Sequence, residues 1–268
     1  MNDRLLSSDV RLARERLSQL GAWYAARPRG TPPAELDALI AADSDLERAG
    51  RTARIDLVVE VDRRAGPFEP RLLSALLDVP RERFVRPADI GESALDTPLL
   101  LDDDGLATIS APHAYLLSFG VLDLRPRDRV AELGTGSGYG AALASRVVSP
   151  QGSVLSIEID ESLAARARRL LASSPNVEIL AGDAGDWLAS WSGFAKVTVT
   201  FAVDDLPASW LAAIPEGGRL VAPVGPSSAG QRLVRVDRVG GELVWSDHGA
   251  VRYVRDRGRE RRAEAPGS

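Results

Sequence analysis

The sequence has no cysteine and only two histidines. Without cysteine there can be no disulfide, thiolate metal site or cysteine nucleophile. Two histidines, His113 and His248, are too few for a multi-histidine metal centre. No apolar run reaches the roughly 20 residues needed to span a bilayer. The opening stretch, MNDRLLSSDV, lacks the apolar core of a secretory signal. A cytoplasmic protein with no membrane contact is therefore expected. The net charge of −5 argues against sequence-independent nucleic-acid binding. Asp102, Asp103 and Asp104 lack the alternation and closing glutamate of a calcium loop. They read as a solvated turn, and no metal is expected. What remains is a chain of 268 residues, 44% hydrophobic, enough for one large α/β domain with an appendage.

That domain is organised around Arg129 to Asp160, RVAELGTGSGYGAALASRVVSPQGSVLSIEID. The stretch reads as strand, glycine loop, small-residue helix and second buried strand, a nucleotide-binding βαβ half. Glycines at 134, 136 and 138 let the backbone turn sharply and approach a ligand without a Cβ in the way. The helix after them offers free N–H groups. Glu158 closes the second strand about 20 residues beyond the loop, where it can accept from both hydroxyls of a ribose. A dinucleotide loop would have a glycine where Tyr139 stands, which argues against a nicotinamide-dependent oxidoreductase. The G-x-G-x-G pattern with Glu132 just before it resembles the first motif of class I S-adenosylmethionine methyltransferases. Such a cofactor has no pyrophosphate and carries a cationic amino group, which an acidic residue beside the loop suits. Cofactor contacts are expected from Glu132, Gly134, Thr135, Gly136, Ser137, Gly138, Tyr139 and Glu158. A third strand, Val177 to Leu180, leads to Asp183 and Ala184, where a carboxylate can accept from an adenine amino group; a helix cap is the alternative for Asp183.

Upstream, residues 1–52 form a helical extension. Val10, Leu12, Leu17, Leu20, Trp23 and Tyr24 fall roughly on one face of a first helix, and Gly30-Thr31-Pro32-Pro33 breaks the chain. A second helix covers Ala34 to Ala42. Ser44-Asp45-Leu46-Glu47 is a capping-box sequence opening a third. The extension packs on the main domain or recognises a partner or peptide. Residues 53–255 make the main domain. Ile55 to Arg64 is read as helix, Pro70 to Asp78 as another, and Val79 to Val85, VPRERFV, as a loop with one anchored aromatic. Ser110 or Pro112 opens a helix ending at Leu122. Asp160 caps a helix over Glu161 to Ala172. Val197 to Phe201 and Arg219 to Pro223 are further strands, and Ser227 to Gly230 a flexible turn. Gln231 to Arg238 and Glu242 to Trp245 form a hairpin, with Val251 to Val254 as a last edge strand. Residues 256–268 are charged, apolar-poor and expected to be disordered.

Together VPRERFV, ATISAPH (Ala107 to His113), AELGTGSGYGAA, SIEID, EGGRLVAPVG with Gln231 and Leu233, and VRYV resemble the protein-L-isoaspartate O-methyltransferase family over roughly residues 55–255. The resemblance implies a doubly wound, Rossmann-like seven-stranded α/β/α sheet. It implies S-adenosylmethionine as cofactor and a peptide or protein acceptor whose isoaspartyl or aspartyl carboxylate becomes a methyl ester, as in protein repair. It makes Ser110 the polar contact that holds the acceptor, with Thr108, Ile109, Ala111, Pro112, His113, Thr200, Phe201 and Ala202 around it. In the loop VTFAVDD, Phe201 and Asp204 are expected to narrow and acidify the acceptor side. Two other functions fit the same features: methylation of an aspartate in one dedicated natural-product precursor peptide, and non-catalytic binding of S-adenosylmethionine.

Overall fold

The computed structural model describes residues 2–27, 31–226 and 230–258. The expected chain break at Gly30, most of the turn at 227–230 and the tail from residue 259 lie outside them.

The N-terminal extension is helical. Helix α1 (Asn2–Ala25) buries Ala13, Leu17, Leu20 and Tyr24, one face at helical spacing. Leu12 and Trp23, expected on that face, are 57% and 55% exposed. Trp23 instead lies under the Arg27 guanidinium, 4.3 Å from its ring centre. Helix α2 (Pro33–Ala42) is followed by α3 (Ser44–Ala65). The α3 cap is Asp43, one residue before the expected Ser44. Its carboxylate accepts from the Asp45 and Leu46 amides at 2.9 and 3.0 Å and from the Tyr24 hydroxyl at 2.8 Å. Nothing between residues 44 and 65 breaks a helix, so two expected helices are one, and the expected domain boundary at 52 falls inside it.

Helix α4 (Pro70–Asp78) leads into VPRERFV, where the structure corrects the reading of a charged loop. Arg81–Arg83 is a 3₁₀ turn, and Arg81 and Glu82 are 0% and 2% exposed. Glu82 pairs with Arg54 of α3. A second 3₁₀ segment, Pro87–Glu92, packs on α1. A short hairpin, β1 (Leu99–Leu100) with β2 (Thr108–Ile109), then carries the acidic turn at its tip. There Asp103 meets Arg86 at 3.2 Å. Helix α5 (Pro112–Leu122) starts at Pro112 with Ala111 as its cap, so Ser110 is not a helix cap.

The main sheet has seven strands: β3 (Arg129–Leu133), β4 (Ser153–Glu158), β5 (Val177–Ala181), β6 (Lys196–Val199), β7 (Arg219–Val224), β8 (Gln231–Val239) and β9 (Glu242–Val251). Their order is β5-β4-β3-β6-β7-β8-β9, parallel from β5 to β7 and antiparallel for the last two. Helices α6 (Tyr139–Val148), α7 (Glu161–Leu170), α8 (Leu188–Trp191) and α9 (Ala208–Ala213) supply the crossovers. Alternate strand residues point to opposite faces. Val130 and Val154 join the core under α1 and α3 to α7, while Ala131, Leu133, Leu155 and Ile157 join a second core with Trp191, Phe194 and Trp210. The expected strand Val251–Val254 is not formed. Val251 ends β9, and the chain then crosses beside Ala202, whose amide donates to the Val254 carbonyl at 2.8 Å while the Asp256 amide donates to the Ala202 carbonyl at 3.0 Å.

The chain runs outward from β3 to β5 and then returns to β3's other side as β6. Loops after β3, β4, β5 and β6 therefore converge at one edge, the position where doubly wound sheets bind ligands.

Candidate functional site

Gly134 and Gly136 follow β3 with φ of +100° and +54°, a region that side chains other than glycine rarely enter. A Cβ at Gly134 would strike the Thr200 hydroxyl and approach the Phe201 ring to 2.8 Å. The loop is thus bare on the side facing a cavity. Gly134, Gly136, Glu158, Gly182, Asp183, Ala184, Thr200 and Phe201 line that cavity, with Leu106 and Ala107 from the hairpin. The Thr200 hydroxyl donates to the Gly134 carbonyl and so ties β6 to the loop.

Glu158 ends β4 and is 6% exposed. Its carboxylate accepts from the Gly136 amide at 2.6 Å and the Asp160 amide at 3.0 Å. Burial pushes its pKa above the usual carboxylate range. The two oxygens offer about four acceptor directions, so capacity remains for hydroxyl donors in the cavity. Glu132 lies behind the loop, 1% exposed. Its Oε2 accepts from the Ser156 hydroxyl at 2.6 Å, and the Thr135 hydroxyl is 2.6 Å from that of Ser156. Its Oε1 has no hydrogen-bond partner. Burial pushes the Glu132 carboxyl up to about 8, with a smaller contribution from the nearby Glu158 charge. A Cβ on Gly140 would collide with Oε1, so the helix that follows the loop leaves just enough room for that carboxyl. A buried acid with one unsatisfied oxygen is costly; Glu132 does not line the cavity, and a cationic ligand there would favour its ionised form only across the loop.

A second cavity is lined by Pro98, Thr108, Ser110, Ala111, His113 and residues 250–254. Val254 lines both cavities, and the Thr108 carbonyl would be 3.8 Å from a Cβ on Gly136. The cavities thus adjoin across β2 and the strand-like segment after β9. Ser110 is held on both sides: its amide donates to the Tyr115 hydroxyl at 3.2 Å, and its carbonyl accepts from Arg81 at 3.2 Å. His113 is held by Asp96, which takes its amide at 3.0 Å and lies 3.0 Å from Nδ1 through each oxygen. Burial works to raise the Asp96 pKa, but the hydrogen bonds from His113 outweigh it and hold the carboxyl below its ordinary range.

Several expected contacts lie elsewhere. Thr135 and Ser137 point into the protein behind the loop and are buried. Gly138 faces Ala167 and Leu171 of the α7 region. Tyr139 is fully buried against Phe84 and Tyr115, because the helix that begins with it turns its first side chain into the core. Ile109 is core, Pro112 is the first residue of α5, and Ala202 engages residues 254–256 through its backbone. Thr200 and Phe201 line the first cavity, not the second. Asp204 does not acidify the acceptor side: it pairs with Arg255 at 3.0 Å. The lining of the second cavity contains no carboxylate and includes Arg252.

The contributions of Asp96, Tyr115, Arg81 and residues 254–257 escaped sequence reading. Arg257, which lines the first cavity and reaches Asp160 at 3.4 Å, lay in a stretch too polar to read as ordered.

A family model for protein-L-isoaspartate(D-aspartate) O-methyltransferase matches residues 54–261. Protein-L-isoaspartate O-methyltransferase 2 of Archaeoglobus fulgidus is 37% identical over 190 residues, 70% of this chain and 85% of that protein. Protein-L-isoaspartate O-methyltransferase 1 of Geotalea uraniireducens is 40% identical over 192 residues, again 70% and 85%. A solved protein-L-isoaspartate O-methyltransferase superposes with a TM-score of 0.68 at 27% identity; the match covers 76% of this chain and 65% of that one.

Proposed function

The chain belongs to the protein-L-isoaspartate(D-aspartate) O-methyltransferase family, and on that premise we propose how its two cavities divide the reaction. The protein is an S-adenosylmethionine-dependent protein carboxyl O-methyltransferase acting on isoaspartyl residues of peptides or proteins. The first cavity takes the cofactor and the second the acceptor. Two features suit the first to an adenosyl amino acid. The glycine loop is bare where a Cβ would fill the space. The Glu158 carboxylate keeps acceptor capacity for ribose hydroxyls. Glu132 lies outside the cavity lining and acts from behind the loop, where its carboxyl meets Ser156 and, through it, Thr135. Asp183 and Ala184 stand at the adenine end.

When bound, S-adenosylmethionine supplies a methyl group made electrophilic by its sulfonium. A carboxylate acceptor with a pKa near 4 is ionised at pH 7 and needs no general base. The protein's task is then to position the acceptor and exclude water. Ser110 supplies the polar contact that holds the carboxylate, and Thr108, Ala111 and His113 shape the wall around it. Thr200 and Phe201 close the space between loop and β6. Residues 1–52 form an extension to the catalytic domain of 53–255.

The observation that carries this division is the junction of the cavities at Thr108 and Val254. It is tested by supplying cofactor with labelled methyl to a peptide with one isoaspartate and to its normal aspartyl twin. Base-labile label on the isoaspartyl peptide alone is expected. Label on neither, with cofactor binding intact, would overturn the assignment of this acceptor.

A further inference from the structure

Arg81 is fully buried and, among the described residues, hydrogen-bonds to no carboxylate. Its charge is met by four backbone carbonyls. One terminal nitrogen donates to Ser93 at 3.1 Å and Leu95 at 3.0 Å; the other donates to Thr97 at 2.7 Å and Ser110 at 3.2 Å. Burying a cation without a direct ion pair is costly, and burial lowers its pKa although the nearby Asp96 charge opposes the shift. The return is geometric. A planar guanidinium offers donors in a fixed fork, and here the fork pins two separate segments together. The first segment contains Asp96, which holds His113 by ring and amide. The second is Ser110 itself. Both Ser110 and His113 line the second cavity.

Arg81 is in turn anchored by α3, which runs from the extension into the main domain. Its neighbour Glu82 forms a buried ion pair with Arg54 of α3, and Arg54 also donates to the Leu77 carbonyl at 3.0 Å. Gly50, one turn earlier, faces the Glu82 carboxylate so closely that any Cβ there would displace it. Helix α1 packs on Pro87–Glu92, immediately before the pinned segment.

We infer that Arg81 is the positioning residue of the acceptor wall, setting Ser110 and the Asp96–His113 pair relative to each other, and that the N-terminal extension buttresses it through Gly50, which packs on the Arg54–Glu82 ion pair. This rests on the acceptor occupying the second cavity, and it gives the extension a role within the enzyme itself.

The test compares Arg81→Lys, Arg81→Met and Gly50→Ala with the wild-type chain, using two readouts. The first is substrate-free amide hydrogen exchange. The Ser110 and His113 amides, bonded to Tyr115 and Asp96, should exchange at least tenfold faster in Arg81→Lys, while amides of β3 and β4 keep wild-type protection. The second is kinetics with an isoaspartyl peptide. kcat/KM should fall tenfold or more in Arg81→Met, less in Arg81→Lys and least in Gly50→Ala, with affinity for S-adenosylhomocysteine within about twofold of wild type. Equal acceleration of every amide would reduce Arg81 to a stability residue and overturn the inference. So would unchanged exchange at Ser110 and His113. If Arg81→Met fails to fold, Arg81→Lys and Gly50→Ala decide. Local exchange changes without any wild-type turnover would instead refute the acceptor assignment and leave the positioning of these residues standing.

Discussion

Binding of the cofactor should expel a proton from Glu132. The carboxyl is buried, one oxygen is unsatisfied, and burial pushes its pKa up to about 8. At pH 7 such a group is protonated in about nine molecules of ten. A cationic amino group bound on the cavity side of the glycine loop favours the carboxylate behind it. If the pKa returns to its ordinary 4.5, nearly the whole proton is released at pH 7. The shift of about 3.5 pKa units bounds the coupling at roughly 5 kcal/mol, so even a third of it is measurable. Calorimetric titration with S-adenosylhomocysteine at pH 7, in buffers of different ionisation enthalpy, reads the proton count from the slope of heat against that enthalpy. Wild type should release up to about 0.9 proton, and Glu132→Gln should lose that component. Glu158, also raised by burial, would account for any release that persists in the variant. Equal proton counts in the two proteins would refute the electrostatic coupling of Glu132 to the bound cofactor. The ligand-free protein gives a check of opposite sign. Between pH 4.5 and 8 the folded state binds more protons at Glu132 than the unfolded state. Stability from this group is therefore full below about 4.5 and declines as pH rises through 8.

Other expectations follow from the same geometry. Gly136→Val puts a β-branched side chain at φ +54° beside Leu101; it should lower cofactor affinity at least 100-fold, about 3 kcal/mol, and calorimetry showing unchanged affinity would remove the loop from the site. Ser110→Ala should leave cofactor affinity within about twofold and lower kcat/KM by roughly 10 to 100-fold, as loss of one charge-assisted hydrogen bond predicts; equal turnover in both proteins would exclude a role in holding the acceptor. Asp43→Ala removes the α3 cap and the Tyr24 partner, and should cost about 1 to 2 kcal/mol in denaturant unfolding. Backbone and tyrosine hydrogen bonds hold the Asp43 pKa below its ordinary value against the opposing effect of burial, so this stability is present above pH 4 and lost as pH falls through the folded pKa; a variant as stable as wild type would show that the cap contributes nothing.

The central βαβ unit was readable because its signals are local. Val154 to Ile157 is a short buried run, the glycines alternate through a turn, and Asp160 caps α7 as expected, accepting from the Ser162 and Leu163 amides. Hydrophobic spacing placed the extension's helices but misjudged their faces: Leu12 and Trp23 have the right periodicity for burial, yet the orientation of α1 is set by where α3 and Pro87–Glu92 meet it. VPRERFV failed for a related reason. Two charged side chains at 81 and 82 carry no local mark of burial, since carbonyls from residues 93–110 satisfy one and Arg54 satisfies the other.

The sequence by itself determined the sheet class, the glycine loop and the carboxylates at 132 and 158, because backbone conformation and strand-end position follow from residues within one turn or one strand. Only the tertiary structure decided which of those residues face a cavity, that Tyr139 serves the core, that Arg255 neutralises Asp204, and that the segment after β9 divides the two cavities. Each of those depends on groups tens of residues apart being brought within a few ångströms, and local spacing in a chain carries no information about which distant group will arrive.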